Sequence, residues 1–200
     1  MNKGFKIYIG LTLCVLLVLV VFVVCYMTNP LVKKGHIGMI EYIIISYKSL
    51  TAGGDDIHAI ADFAFCKSEN DPGLEKYAVS LYEKSANRGY APSQYKMGGL
   101  NLYLLNNEKK AEEWLTKAVA QNYDDARYLL GIYYIKSDKD LDKGLELLKE
   151  ADKNKFKKAS DLYQRMNAGI DFPKIEKAYN TEKESILNKK YRSDNELSVF

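Results

Sequence analysis

Two stretches of this chain decide its fold: SQYKMGGLNLYLLNNEKKAEEWLTKAVAQNY at residues 93–123 and ARYLLGIYYIKSDKDLDKGLELLKEADKNKF at residues 126–156. They align without a gap at an offset of 33 residues, so that Gly98 is followed by Gly131. Four residues of an earlier copy keep the same offset: Ala78, Leu81, Lys84 and Tyr90. Self-similarity at this period is typical of arrays of helical repeats. Because stacked repeats form an extended surface, we expect a protein that binds another molecule.

Each repeat is predicted to contain two helices. The first spans residues 126–135 in the clearest copy, where Gly131 costs roughly 1 kcal/mol of helix stability relative to alanine and so indicates close approach of a neighbouring helix. The second spans residues 108–121 and carries a single apolar stripe. The stripe consists of Ala111, Trp114, Leu115, Ala118 and Val119. This helix ends at Asn122, where the earlier copy has Gly89, and both residue types tolerate the left-handed backbone that closes a helix.

The order of residues within the repeat also follows a known pattern. Its first half is Ala126, Leu130, Gly131 and Tyr134, and its second half is Lys110, Ala111, Trp114, Lys117 and Ala118. In these residues the chain resembles the Sel-one-like repeat family, which is related to the tetratricopeptide repeats. Asn101 departs from the pattern by replacing its tyrosine, and Leu81 and Leu147 depart from it by replacing its tryptophan. The resemblance covers about residues 56–168, as three repeats and a partial fourth, and implies an all-α, right-handed α-solenoid of antiparallel helix pairs. Family members are adaptors and regulators of many systems, so the resemblance implies binding but no particular activity.

Residues 1–34 are predicted to form an N-terminal transmembrane anchor. Residues 7–27 carry no charge and are rich in Leu and Val, and about 20 apolar residues suffice for a helix to cross the hydrocarbon core. A cleaved secretory signal would have a shorter apolar part that ends in small residues, whereas Val24 and Tyr26 are large. Lysines flank the segment on both sides, and a very short N-terminal tail usually stays in the cytoplasm. We therefore expect a single-pass protein of the bacterial inner membrane with its repeats on the periplasmic side.

Residues 35–55 are predicted to be a juxtamembrane segment and linker. Isoleucines and tyrosines recur between residues 36 and 50 at roughly helical spacing, which predicts a helix that covers the first repeat. Three consecutive isoleucines at residues 43–45 would also suit a buried strand. Asp55 or Asp56 is the expected N-cap of the helix that follows.

Residues 169–200 are predicted to form a capping helix and a tail. Pro173 lies near the expected helix start, and apolar residues follow it among many charges. A helix in this position would cover the last repeat, because terminal repeats of such arrays need a cap. Residues 193–200 are expected to be frayed.

The charge balance gives no sign of a nucleic-acid ligand. Four of the 29 basic residues lie in the first 34 positions, which hold no acid, so the rest of the chain carries 25 basic and 26 acidic residues. Nucleic-acid binding calls for a concentrated basic stripe. The nearest candidate is the cluster Lys153, Lys155, Lys157 and Lys158. We interpret it as a solvated helix end.

Patterns of catalytic or metal-binding residues are also missing from the sequence. It contains no phosphate-binding glycine loop, no nucleophile elbow and no His or Cys group at metal-ligand spacing. Cys66 and His58 could be imagined as a nucleophile and its base, but a separation of eight residues does not bring them together on one helix face. We therefore expect no enzyme, no cofactor, no metal and no small-molecule substrate.

The 16 tyrosines of the chain suggest where a partner binds. Tyrosine is enriched in protein interfaces, although many tyrosines of a helical array bury the ring and leave the hydroxyl wet. In related arrays the first helix of each repeat lines the concave surface. If this holds here, Tyr95, Tyr103, Tyr128 and Lys136 lie in the groove. These four residues are the predicted partner-binding site.

Three hypotheses of function follow from these features. The first is a membrane-anchored protein that binds another protein in the cell envelope. Since some anchored proteins of the family it resembles are immunity proteins, the partner would in the sharpest version be an antibacterial effector such as a lipase. The second hypothesis is a structural or regulatory adaptor of envelope or cell-wall machinery, with no toxin partner. The third is an enzyme that depends on Cys66 or His58.

Overall fold

The computed structural model describes residues 3–33, 35, 37–51, 53–165, 169 and 171–188. Within these ranges the chain is helical, with no strand. The helices are α1 Lys3–Thr28, α2 Pro30–Lys33, α3 Met39–Thr51, α4 Gly54–Lys67, α5 Pro72–Asn87, α6 Ala91–Tyr103, α7 Glu108–Val119, α8 Asp124–Lys136, α9 Leu141–Lys153, α10 Lys157–Arg165 and α11 Phe172–Leu187. The predicted all-α class is confirmed.

The helices from α4 to α9 form three pairs, each joined by a short loop. The most extensive contacts are those of α4 with α5, α6 with α7 and α8 with α9. Each pair also packs on the next pair, through α5 with α6 and α7 with α8. This order of contacts is that of a helical repeat, in which every unit completes the apolar core of its neighbour.

Glycines allow the two helices of a pair to come close together. A Cβ atom added to Gly131 would lie 3.0 Å from the backbone oxygen of Gly144 in the facing helix. One added to Gly98 would lie 2.5 Å from Leu115 Cγ. The prediction that Gly131 marks a close helix approach is confirmed, and it explains the use of a residue that weakens an isolated helix.

The backbone between repeats turns through the left-handed region. Gly89 has φ +87°, Asn122 has φ 62° and Lys155 has φ 61°, each one repeat apart. The first two confirm the predicted left-handed positions, although α5 and α7 end two and three residues earlier, at Asn87 and Val119. The predicted N-cap of α4 is wrong, because α4 begins at Gly54 with Gly53 in the capping position. Asp55 and Asp56 lie instead in the first turn, where acidic side chains also stabilise a helix through its dipole.

The helices that precede the repeats pack on one another and on the first pair. Residues 39–51 form α3, so the helix expected between residues 36 and 50 is confirmed and the strand alternative is wrong, while His36 lies outside the described residues. Tyr42 of α3 is buried, and its ring lies 5.7 Å from that of Phe22 and 5.2 Å from that of Tyr26 in α1. In the described part of the chain, no helix combines the length and the apolar character that crossing a membrane requires.

Helix α11 begins as predicted and packs on the first helices of the last two repeat pairs. Pro173 lies in its first turn, and the Asp171 carboxylate caps it by accepting a bond of 3.2 Å from the Lys174 backbone N–H. The sequence placed this helix over the last repeat, whereas in the structure its main contacts are with α8 and α6, and α10 is the helix that packs on α9. The reason is that Glu182 and Ile186 of α11 contact Tyr95 and Gly99 of α6. Residues 193–200, predicted to be frayed, lie outside the described residues.

Candidate functional site

The four residues of the predicted partner-binding site lie on two neighbouring helices. Tyr95 and Tyr103 belong to α6, and Tyr128 and Lys136 occupy the equivalent positions of α8 one repeat later. Tyr95 and Tyr103 are eight positions apart in α6, about 12 Å along the helix axis, and so are Tyr128 and Lys136 in α8. We define the α6–α8 face as the surface formed by Tyr95, Lys96, Gly99, Tyr103, Tyr128 and Lys136.

Helix α11 of the same chain covers this face. The Tyr103 and Tyr179 rings meet edge to face at 5.0 Å, a favourable aromatic geometry, and the Tyr103 hydroxyl donates to the Tyr179 backbone oxygen at 3.4 Å. The Lys136 ammonium lies 4.2 Å above the Tyr179 ring and 3.3 Å from a carboxylate oxygen of Glu176. The structure therefore brings predicted site residues together around a helix, and this helix belongs to the protein itself. Whether they bind a partner stays a prediction.

The most deeply buried polar contact of the face is made by Glu182. This side chain is only 1% exposed. One carboxylate oxygen accepts a hydrogen bond from the Tyr95 hydroxyl at 2.7 Å, and the other accepts one from Lys158 Nζ at 2.7 Å. Lys158 Nζ also lies 3.6 Å from Asp125 Oδ1. A buried carboxylate is tolerated only when it is paired and hydrogen-bonded in this way.

Burial around Glu182 changes the titration of its neighbours. The pKa of Tyr95 is raised far above its ordinary value, first by burial and then by the Glu182 charge, which opposes a second negative charge beside it. Burial also raises the pKa of Asp125, although Lys158 partly offsets the effect. Tyr95 is therefore a hydrogen-bond donor at every physiological pH. It can recognise a carboxylate without itself becoming charged.

Further along α6, the face is shaped to receive Ile186. A Cβ atom added to Gly99 would overlap the Ile186 side chain and would meet no other atom as closely. Lys96 Nζ donates to the Ile186 backbone oxygen at 2.7 Å, and burial lowers the pKa of this lysine. The sequence indicated only that Gly98 and Gly99 serve packing. In the structure the two glycines have different packing partners: Gly98 allows α7 of its own repeat to come close, and Gly99 allows α11 to do so.

Beside α11 the face continues into an open cleft. Its volume is about 430 Å³, and it lies between α8, α10 and α11. Tyr128 and Lys158 form one side, and the small α11 side chains Ala178, Thr181 and Ser185 contribute to the other. Burial raises the pKa of Tyr128 to about 12. Among the predicted site residues, Tyr128 lines this cleft, although its side chain is only 6% exposed.

Two residues of the site were missed by the sequence analysis. The lysine cluster at residues 153–158 is exposed as predicted, yet Lys158 also pairs with Glu182. Glu182 gives no signal of burial by itself, because a glutamate on a charged helix is ordinarily solvated. One signal could have revealed it, namely an apolar stripe along the helix that contains a single acidic residue. The stripe consists of Ile175, Tyr179, Glu182 and Ile186, at spacings of four, three and four.

A second polar cluster connects α4, α5 and α6. His58 Nδ1 lies 2.7 Å from Ser93 Oγ, and its Nε2 lies 3.5 Å from Asp62 Oδ2. The order of these residues is similar to that of a hydrolytic triad, but Ser93 is fully buried and donates its own hydroxyl to Ser85 at 2.6 Å. Burial raises the pKa of the Cys66 thiol, whereas a nucleophilic cysteine needs a lowered one. These contacts tie three helices together.

Within the described ranges, no group of three or more His, Cys, Asp and Glu side chains is placed to hold a metal ion. No protein-family model, curated protein or solved structure matches this chain. Function is therefore inferred from the α6–α8 face and from the helix that lies on it.

Proposed function

We propose that this chain is a membrane-anchored helical-repeat protein of the Sel-one-like kind, a right-handed α-solenoid that binds another protein in the cell envelope. One observation carries the proposal: the α6–α8 face holds a helix through tyrosine rings, a tyrosine hydroxyl and lysine ammonium groups. A surface that binds a helix of its own chain has the chemistry to bind a helix of another protein. An amphipathic helix in a groove is a recurring mode of protein recognition.

The dimensions and composition of the face support a protein ligand. The α11 residues that meet it run from Ile175 to Ile186, which corresponds to about 16 Å of helix at 1.5 Å per residue. Tyrosine supplies a large contact area with few rotatable bonds, and its hydroxyl adds directional hydrogen bonds. Tyr103 is half-buried, and Tyr128, although only 6% exposed, lines the open cleft beside α11.

The anchor is part of the proposal. It is supported by the uncharged sequence of residues 7–27 and by the exposure of apolar side chains in the described part of α1, such as Leu17 at 67% and Val18 at 66%. Exposed apolar surface of this kind marks a membrane or protein contact. We place the chain in the bacterial inner membrane with its repeats on the periplasmic side.

The identity of the partner divides the proposal into two versions. In the first, the partner is an antibacterial effector such as a lipase, and the chain is its immunity protein. In the second, the partner belongs to envelope or cell-wall machinery, and the chain is a structural or regulatory adaptor. Both versions need the same binding surface, so a single experiment on that surface distinguishes them by the partner it identifies.

The experiment is site-specific photocrosslinking in native membranes. A photoreactive phenylalanine analogue replaces Tyr128, which lines the cleft and is 6% exposed, or, as the control, Tyr47 of α3, which is 67% exposed. The tagged full-length chain is purified after irradiation, and crosslinked proteins are identified by mass spectrometry. We expect one dominant protein from position 128 and none of it from position 47. A secreted hydrolase supports the immunity version, and an envelope protein supports the adaptor version. Equal capture from both positions, or none from position 128, contradicts the proposal.

A further inference from the structure

We propose that α11 is an intramolecular ligand of the α6–α8 face, and that the partner presents an amphipathic helix of the same pattern which displaces it. The pattern is a glutamate flanked by aromatic and aliphatic residues at the positions of Tyr179, Glu182 and Ile186. The existence of a protein partner rests on the proposed function. The exchange of one helix for another on the α6–α8 face does not, because it is a property of this chain alone.

Helix α11 does not follow the packing order of the repeat helices. Every helix from α4 to α10 has its main contact with the helix that precedes or follows it, whereas α11 returns to α8 and α6. The Tyr95–Glu182 hydrogen bond joins residues 87 positions apart. The repeat pairs are therefore built from one another, and α11 is added to a surface that they already form.

The charges of α11 and of the surface around it are complementary. Lys158 donates to Glu182 from α10, and Lys136 pairs with Glu176 from α8. The face thus offers ammonium groups where α11 offers carboxylates. A helix without an acid at the position of Glu182 would leave the buried Tyr95 hydroxyl without its acceptor and would remove the carboxylate that pairs with Lys158. This penalty selects against most amphipathic helices and gives the face its specificity.

Contacts at Ile186 fix the register of α11 on the face. Gly99 leaves room for an aliphatic side chain at the position of Ile186, and Lys96 binds the backbone oxygen of that residue. Because side chains four and seven positions apart share one helix face, fixing Ile186 also fixes Glu182 and Tyr179. A displacing helix must place all three in the same register.

A displacing helix could gain contacts that α11 does not make. The cleft of about 430 Å³ beside α11 stays open because Ala178, Thr181 and Ser185 are small. A partner helix with a larger apolar side chain at the position of Ala178 would fill part of this cleft against Tyr128 and Leu162. It would bury surface that α11 leaves exposed, and burial of apolar surface favours binding.

The test uses the full-length chain in detergent micelles and fluorescent peptides of residues 171–188. The first peptide has the native sequence, and the second carries Ala178→Leu. Binding is followed by fluorescence anisotropy. We expect the second peptide to bind at least about tenfold more tightly, since its leucine enters the cleft. The native peptide binds weakly, because the tethered α11 competes at a high effective concentration.

A complementary pair of substitutions locates the binding. Gly99→Ala in the chain should abolish binding of the Ala178→Leu peptide, and adding Ile186→Ala to that peptide should restore it. The Gly99→Ala chain should bind the doubly changed peptide more tightly than the wild-type chain does, because its own α11 no longer fits. If Gly99→Ala disturbs folding, as judged by circular dichroism, Ile186→Ala in the chain replaces it. That change loosens α11 without touching the repeats and should raise the affinity for the Ala178→Leu peptide.

Three outcomes would overturn the inference: no binding of any peptide, equal binding of the two peptides, or binding that neither chain substitution alters. The assay contains no native partner, so it is separate from the crosslinking experiment. Peptide exchange without a crosslinked partner supports the inference and contradicts the proposed function. A partner crosslinked at position 128 without any peptide exchange supports the function and overturns displacement of α11.

Discussion

At the scale of single residues, His58 shows how burial alters chemistry inside the repeats. Its Nδ1 contacts Ser93, and its ring lies 5.5 Å from that of Tyr82 and 5.3 Å from that of Tyr90. Burial lowers the pKa of His58 below the ordinary value of 6.5; Asp62 raises this pKa in part, and Lys96 lowers it further. In the folded protein the ring is therefore neutral at pH 7.

This lowered pKa predicts a loss of stability in weak acid. Above pH 6.5 His58 is neutral in both the folded and the unfolded state, so it adds no pH dependence. Below pH 6.5 the unfolded state binds a proton before the folded state does, and the free energy of unfolding falls until the folded pKa is passed. Urea unfolding of the wild type and of His58→Asn between about pH 5 and 8 measures this pH dependence of the free energy of unfolding. The asparagine amide can still donate to Ser93 but does not titrate. Parallel pH curves for the two proteins would contradict the prediction.

At the scale of the elements, the helices of the repeat could be predicted closely from the sequence. Residues 108–121 and 126–135 correspond to α7 at Glu108–Val119 and α8 at Asp124–Lys136. The 33-residue offset and the apolar stripes determine these helices through contacts between neighbours in the chain. The N-cap of α4 was missed because aspartate is favoured both as an N-cap and in the first turn.

The contact between α8 and α9 gives a prediction at this scale. A Cβ atom at Gly144 would lie 2.9 Å from the Gly131 backbone oxygen, which can move only if the two helices separate. Alanine favours an isolated helix by about 1 kcal/mol, but overpacking costs typically 1–3 kcal/mol. We expect Gly144→Ala to lower the free energy of unfolding by about 1 kcal/mol in chemical denaturation. The control is Gly73→Ala, whose added Cβ would meet only the Asp71 carboxylate, at 3.3 Å. A Gly144→Ala protein as stable as the control would contradict the close packing.

At the scale of the whole molecule, the position of α11 is what the sequence did not predict. Tyr95, Tyr103, Tyr128 and Lys136 could be grouped because the repeat offset and the helical period are readable in the sequence. The bonds from Glu182 to Tyr95 and Lys158 join residues that are distant in the chain and follow no repeat. Local patterns therefore predicted a helix at the end of the array, and only the assembled surface shows which side of the array it covers.

The central claim, that α11 lies on the α6–α8 face, has a direct test. A photoreactive phenylalanine analogue at Tyr179, whose ring lies 5.0 Å from that of Tyr103, is irradiated in the full-length protein. The crosslinked peptides are then identified by mass spectrometry. Crosslinks to peptides that contain Tyr103 or Lys136 are the predicted result. Crosslinks confined to α9 and α10 would mean that α11 covers the end of the array instead, and would contradict the account.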